Sequence, residues 1–323
     1  MNDIHQMSSV IPIYYPTSSS LKSYNFYIFA DEGNVTLIDA GVDSEGCFNY
    51  LKNVLNENGY SLNDLSQIIV THNHEDHVGL VNRIVSNQDI PVYVPAKSIH
   101  RLKRDPDFFE MRIEFFQSLY EEMGCGQAGM QQVEKLKQTA RIKEKNKIQT
   151  DLLPLKESDN IGPFEVIETP GHSPDHVVYL DRERKQLFCG DFIINHISSN
   201  ALVEPDREGR RLKTVVQQKE SLLKCRDLDV NIAFSGHGER INNYHECIQK
   251  RLTGIERKAE RILTYVNQGL RTADEIARSL YKNKYESLFS LVMSEVIGHL
   301  DYLETNQRVQ KKIENGVWHY ERC

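Results

Sequence analysis

Apolar side chains in the first hundred residues come in short runs bounded by turn residues, the pattern of strands. Residues 23–29 and 35–39 flank Asp31-Glu32-Gly33-Asn34, a hairpin-turn signal. From Cys47 to Asn58 the spacing becomes helical, with Phe48, Leu51, Val54 and Leu55 on one face. Gln67-Ile68-Ile69-Val70 reads as a short buried strand, residues 78–86 as a helix and residues 91–94 as another strand. From about Ser98 to Lys147 the pattern is helical again. Phe108, Met111, Ile113, Phe116, Leu119 and Tyr120 recur at helix spacing, Gly124-Cys125-Gly126 breaks the run, and a second helical segment follows. This stretch reads as an inserted lid. Strands resume at 164–168, 177–180, 186–189 and 230–234. Strands, then helices, then strands predict an α+β protein, a two-layered β-sandwich with outer helices rather than a doubly wound sheet.

After about Gly254 the chain is helical. Residues 254–267 are amphipathic, Thr272-Ala273-Asp274-Glu275 is a capping box, and residues 285–303 carry Leu288, Leu291, Val292, Val296, His299, Leu300 and Leu303 at core spacing. Residues 309–313 and 317–320 flank Asn315-Gly316, a hairpin turn. Three helices and a hairpin outline a winged helix. The expected division is residues 1–250, with a helical insert at about 98–150, and a winged-helix-like domain at 251–323.

Composition narrows the class. The chain has 323 residues and 39% hydrophobic content, enough for a real core, and no apolar run approaches a membrane span. Met1-Asn2-Asp3-Ile4-His5 lacks the basic and apolar regions of a signal peptide. The six cysteines are scattered with no Cys-x-x-Cys pair, so reduced thiols and a cytoplasmic location are expected. The net charge of -7 counts against a broadly basic nucleic-acid surface. Locally, Lys135, Lys137, Arg141, Lys143, Lys145 and Lys147 form a basic run, either a solvated helix face or a contact for an anionic substrate.

The chemistry concentrates after the strand at 67–70, in Thr71-His72-Asn73-His74-Glu75-Asp76-His77-Val78-Gly79. His72 and His74 project the same way in extended backbone, and Asp76 and His77 follow as the chain turns toward a helix. Such a loop can direct one pair of ligands at one metal and a second pair at a neighbouring one. Imidazole and carboxylate suit zinc, with iron or manganese as alternatives. Three further candidates, His172, Asp191 and His237, each follow a strand and stand beside glycine. Glycine permits close backbone approach. Four clusters at strand ends indicate one convergent site.

With these positions, His72-x-His74-x-Asp76-His77 followed by His172, Asp191 and His237 resembles the metallo-β-lactamase superfamily of binuclear metal hydrolases. The resemblance spans roughly residues 10–245 and includes the Asp39-x-Gly41 strand end. The C-terminal part is similar to the winged-helix extension of the β-lactamase-like protein 2 group. The resemblance implies an αββα sandwich. It implies that His72, His74 and His172 hold one metal, that Asp76, His77 and His237 hold a second, and that Asp191 bridges them. Two divalent ions, with zinc favoured because His74 is retained, would activate water. Asp76 would orient the attacking oxygen.

Other residues carry weaker signals. His196, on a loop after Asp191, is a candidate donor to a substrate oxygen. His176 reads as a support for neighbouring groups, and Cys189 and His299 as core. Arg210, Arg211 and Lys213 read as surface. The leading expectation is hydrolysis of an ester or thioester, with a small, anionic substrate. A phosphodiesterase or single-strand endoribonuclease is the first alternative, suggested by the group sharing the C-terminal extension. A non-enzymatic winged-helix regulator is the second. It is disfavoured because residues 291–304 carry Glu295, Asp301 and Glu304 and no Lys or Arg. Nucleic acid is therefore not the favoured partner, no membrane association is expected, and a homodimer is left open.

Overall fold

The computed structural model describes residues 9–31 and 33–323. Met1–His5, and Glu32 of the expected hairpin turn, lie outside the described residues. Six strands form the first sheet in chain order: β1 (Ser9–Pro16), β2 (Ser23–Asp31), β3 (Asn34–Ile38), β4 (Gln67–Ile69), β5 (Val92–Pro95) and β6 (Leu152–Leu155). The first three run antiparallel, and β3 to β6 pair in parallel. The parallel steps need crossovers. These are α1 (Glu45–Glu57), then α2 (Glu75–Val78) with α3 (Val81–Val85), and then the insert. The insert holds α4 (Ile99–Leu102), α5 (Pro106–Glu122) and α6 (Gly126–Ile142). The second sheet contains β7 (Asn160–Ile161), β8 (Phe164–Glu168), β9 (Val177–Asp181), β10 (Gln186–Gly190) and β11 (Ile232–Ser235), in the order β11-β10-β9-β8-β7. Helix α7 (Thr214–Cys225) lies on the connection between the parallel strands β10 and β11.

Period-two alternation builds the layers, although both faces of each sheet are apolar. In β2, Tyr27 and Phe29 face the other sheet, and Phe26 and Ile28 face α1. In β9, Val177 and Tyr179 face inward, and Val178 and Leu180 meet the outer helices. Tyr27, Phe29, Phe164, Phe188 and Phe234 interlock between the sheets, mostly edge to face. Burying each such ring is worth roughly 1.5–3 kcal/mol. The result is the expected order of helix, sheet, sheet, helix.

The C-terminal part contains α8 (Tyr244–Asn267), α9 (Ala273–Tyr281), α10 (Lys284–Ser287), α11 (Phe289–Thr305), β12 (Val309–Glu314) and β13 (Val317–Arg322). The capping box forms: the Thr272 hydroxyl accepts from the Glu275 N–H, and the Glu275 carboxylate accepts from the Thr272 N–H. Asn315 and Gly316 both have positive φ, 51° and 83°, as a type I′ hairpin turn requires. The helix expected over 285–303 is broken at Leu288, whose φ of −123° is not helical. Helix α8 runs unbroken through residues 250 and 251. Apolar residues of α8, α9 and α11 share one continuous core with β9, β10 and α5. Strands β1 and β6, absent from the sequence pattern, are edge strands containing Pro12, Pro16 and Pro154. Proline weakens the strand signal, yet an edge tolerates it because one side of the ladder is free.

Candidate metal centre

The sheet ends gather the ligands. His72 and His74 follow β4, and the first turn of α2 delivers Asp76 and His77. His172 follows β8, Asp191 follows β10 and His237 follows β11. All seven expected ligand residues meet. His74 Nδ1 is 3.0 Å from His72 Nε2 and 3.0 Å from His172 Nε2. Asp76 Oδ2 is 3.5 Å from His237 Nε2, and Asp76 Oδ1 is 4.0 Å from His77 Nε2. Asp191 lies between the groups. Its Oδ2 is 3.1 Å from His237 Nε2 and 3.4 Å from His172 Nε2, and its Oδ1 is 3.4 Å from His77 Nε2. Three trios, His72/His74/His172, His72/His77/Asp191 and Asp76/His77/His237, each have donor atoms within 4.8 Å of one another.

The outer nitrogens decide the tautomers. His172 Nδ1 donates to the Asn200 carbonyl at 2.9 Å, and His237 Nδ1 to the Ser23 carbonyl at 2.8 Å. His77 Nδ1 donates to Asp39 Oδ2 at 2.8 Å. The Thr71 hydroxyl donates to Asp39 and so accepts from His72 Nδ1 at 3.0 Å. A carbonyl or carboxylate only accepts, so these rings turn lone pairs inward. His77 Nε2 and Asp191 Oδ1 are buried without a hydrogen-bond partner. Converging lone pairs and orphaned buried atoms fit a cation, and outer hydrogen bonds of this kind fix metal-ligating histidines.

The electrostatics agree. Burial, then His77 and His74, hold His72 well below the usual histidine value, and burial with His172 pushes His74 down to about 4. Burial works against the Asp191 carboxylate, but His77 and His237 outweigh it and keep its pKa well below the usual range. Burial also disfavours a proton on His77. Asp39, Asp191 and Asp76 outweigh that and raise it well above the usual value. Carboxylates that attract a proton to this ring attract a cation to the same place. Close packing leaves no room for extra atoms: a Cβ at Gly236 would lie 2.4 Å from Asp191 Oδ1 and 2.7 Å from His77 Cε1.

Other expected residues fall elsewhere. His196 stands against Gly238 outside the ligand trios, with Nε2 donating to the Ser20 carbonyl at 2.9 Å. His176 accepts from the Asp191 N–H at 3.1 Å and bonds Thr169 Oγ1 at 2.8 Å, supporting the Asp191 turn. Cys189 is buried, its thiol held up by burial. His299 is buried and bonds the Glu295 carbonyl. Arg210 pairs with Asp206, Arg211 with Asp301, and Lys213 reaches Thr305.

Sequence reasoning assigned no role to Asp39, Asn25 and Asp175. Asp39 holds Thr71 and His77 from a left-handed backbone, φ 59°. Its signal was the Asp-Ala-Gly strand end. Asn25 clamps the Ser235 and Gly238 carbonyls around His237. Asp175 accepts from the Asn73 backbone and from Ser98, tying the first ligand loop to the His172 turn.

A cavity of about 770 Å³ opens over His74, Asp76 and His172. Its far wall is the insert. Of the basic run, Lys143 and Lys145 line it, while Lys137 pairs with Glu134 on the outside. Arg101 of α4, Arg104 on the turn between α4 and α5, and Arg112 of α5 contribute more of the charge.

Residues 21–237 match the Metallo-beta-lactamase superfamily, and the chain belongs to it. It is similar to the probable metallo-hydrolase YqjP of Bacillus subtilis (strain 168), 28% identical over 96% of this chain and 97% of that protein. A hydroxyacylglutathione hydrolase of Hahella chejuensis is 27% identical over 58% of this chain and 52% of its own length. Among solved structures, a metallo-beta-lactamase family protein from Thermus thermophilus shares the fold. Its TM-score is 0.79 at 22% identity, covering 97% of this chain and 98% of that one. The chain is thus a hydrolase of a superfamily that binds divalent metals. No described helix is long and apolar enough to cross a membrane.

Proposed function

We propose that the protein is a two-metal hydrolase of esters or thioesters. The single observation that carries this is the pair of donor groups joined by Asp191, with His72, His77, His172 and His237 each turned by an outer hydrogen bond to point a lone pair at the same small space. His72, His74 and His172 would hold one ion, Asp76, His77 and His237 the other, and Asp191 both. All donors are nitrogen or oxygen, which suits zinc and admits iron or manganese. Bound divalent ions supply Lewis acidity and a water acidic enough to attack at neutral pH. Asp39 and Thr71 keep His77 and His72 in the required tautomer. Asp76, with both oxygens toward the cluster, would orient the attacking water. His196 would reach a substrate oxygen only after releasing the Ser20 carbonyl.

The similarity to a hydroxyacylglutathione hydrolase favours thioesters. Residues 251–323 would act as a winged-helix-like brace for the catalytic part, since their core is shared with its outer helices. The test is a substrate panel on metal-analysed protein: thioester, lactone, phosphodiester and single-stranded RNA. Thioester or ester turnover proportional to bound metal is expected. Rapid RNA cleavage with inert thioesters and lactones would replace this function with the nuclease alternative.

A further inference from the structure

We infer that Arg101, Arg104 and Arg112 on the insert form a receptor for an anionic end group of the substrate, a carboxylate or a phosphate. The inference rests on the proposed hydrolysis only for where the reacting bond lies. All three arginines line the cavity that opens over His74, Asp76 and His172. Two of them share one carboxylate. Arg101 Nη1 is 3.1 Å from Glu204 Oε2, Arg112 Nε is 2.7 Å from the same oxygen, and Arg112 Nη2 bonds Oε1. Burial opposes ionisation of Glu204, but Arg112 and Arg101 outweigh it and pull its pKa down to about 2. One negative charge thus faces two fixed positive ones.

Arg104 stands close enough to Arg112 for the two to repel, and its own ion pair with Glu75 is long, 3.8 Å. Glu75 is engaged more closely by Lys143, at 2.5 Å. Glu144 stands beside Arg104 and Asp175 beside Arg101, while Asp76 and Asp43, the latter paired with Arg83, line the same cavity. Asp175 has its oxygens occupied by Asn73, Ser98 and Ser173.

The guanidinium groups are also held in place. Each lies over an aromatic ring of α5: Arg101 on Phe108 at 4.7 Å, Arg104 on Phe109 at 4.8 Å and Arg112 on Phe116 at 4.8 Å. Stacked, forked donors are preorganised for a planar or tetrahedral anion. Leu102, Ile113, Leu136 and Ala140 line the same cavity. The ligand class is therefore an ester or thioester with an apolar stretch ending in an anion.

The test uses S-alkyl thioethers of matched length, ending in carboxylate, phosphate or neutral carboxamide. Their binding to the full, metal-loaded chain is measured by calorimetry. The charged thioethers should bind about tenfold tighter than the amide, one charge-assisted contact's worth. Arg104→Gln and Arg112→Gln should each shrink that preference. Glu204→Gln, which frees two guanidinium groups, should enlarge it. A structural role alone would not move the preference in opposite directions. Equal binding of charged and neutral thioethers overturns the receptor. So does a preference that survives loss of all three arginines, which would place the anion at the metal centre. The order of carboxylate and phosphate identifies the end group. The matching thioesters separate the two claims. A charge preference with no thioester turnover defeats the proposed function and leaves the receptor. Turnover with no charge preference does the reverse.

Discussion

The ligand loops and the insert wall face one another across the same cavity and are built on opposite terms. The ligands come from strand ends, where the backbone is fixed by two buried sheets. His72, His77 and His237 are buried, and each outer nitrogen has an acceptor. The insert wall comes from helices. Its arginines lean on aromatic faces and share carboxylates, and Arg112 is about a fifth exposed, 20%. One side is over-determined, so its chemistry tolerates little change. The other is a set of long side chains on an added element, which can vary without disturbing the reacting centre.

Substitutions should expose that difference. Asp191→Ala removes the group between both donor trios. Metal affinity should fall by more than the roughly 10- to 100-fold typical of supporting residues, with nearly all activity. Metal analysis alongside turnover checks this, and an active metal-free variant would sink the site. Asp39→Asn is subtler. Asparagine tolerates the left-handed backbone at this position but loses the charge that orients His77. Metal affinity should drop about 10- to 100-fold with the fold intact, as read by circular dichroism and metal titration.

Both sides of the cavity should also make the metal-free protein acid-sensitive, through His176 behind the ligands and His100 on α4 of the insert. Burial and then His172 push His176 down to about 3, and burial and then Arg101 push His100 down to about 4. Unfolded, both titrate near 6.5. Between these values the unfolded chain binds more protons, so stability rises with pH and is lost as pH falls from about 6.5 toward 4. His77 and His237, raised in the fold, act only above about 6.5; Asp301, pushed up to about 6 by burial, works the other way below that value but is one group against two. A denaturation midpoint at pH 5 equal to that at pH 7 would contradict it. The smallest effect belongs to Glu75→Gln, between two ligands in sequence but facing the insert. Its exposed pairs with Lys143 and Arg104 should cost under about 1 kcal/mol. Unchanged metal content would confirm that Glu75 serves the wall and not the centre.

Much of the centre was legible because its ligands are rare residue types placed directly after apolar runs. The runs marked strands, and strand ends share an edge. The inward direction of each ring was not legible. It depends on partners such as Asn200 and Ser23, whose backbone carbonyls carry no sequence signal. Helix α7 has no clear sequence signal because Gln217, Gln218, Lys219 and Glu220 interrupt its apolar spacing, and only packing against α11 and α8 resolves it. The basic run at 133–147 was legible as charge. Which of its lysines reach the cavity depends on where the chain turns after α6 ends at Ile142, and Lys143 and Lys145 do.

By itself the sequence marked the central strands of both sheets, the seven candidate donors and the presence of a helical insert, because periodicity and residue chemistry are local properties. The tertiary structure decided what those donors form together, with Asp191 seated between two trios and Asp39 behind His77. It also decided that Arg101, Arg104 and Arg112 face the centre across one cavity. Those facts arise from distances between residues far apart in the chain, which only the packing of two sheets and the insert can set.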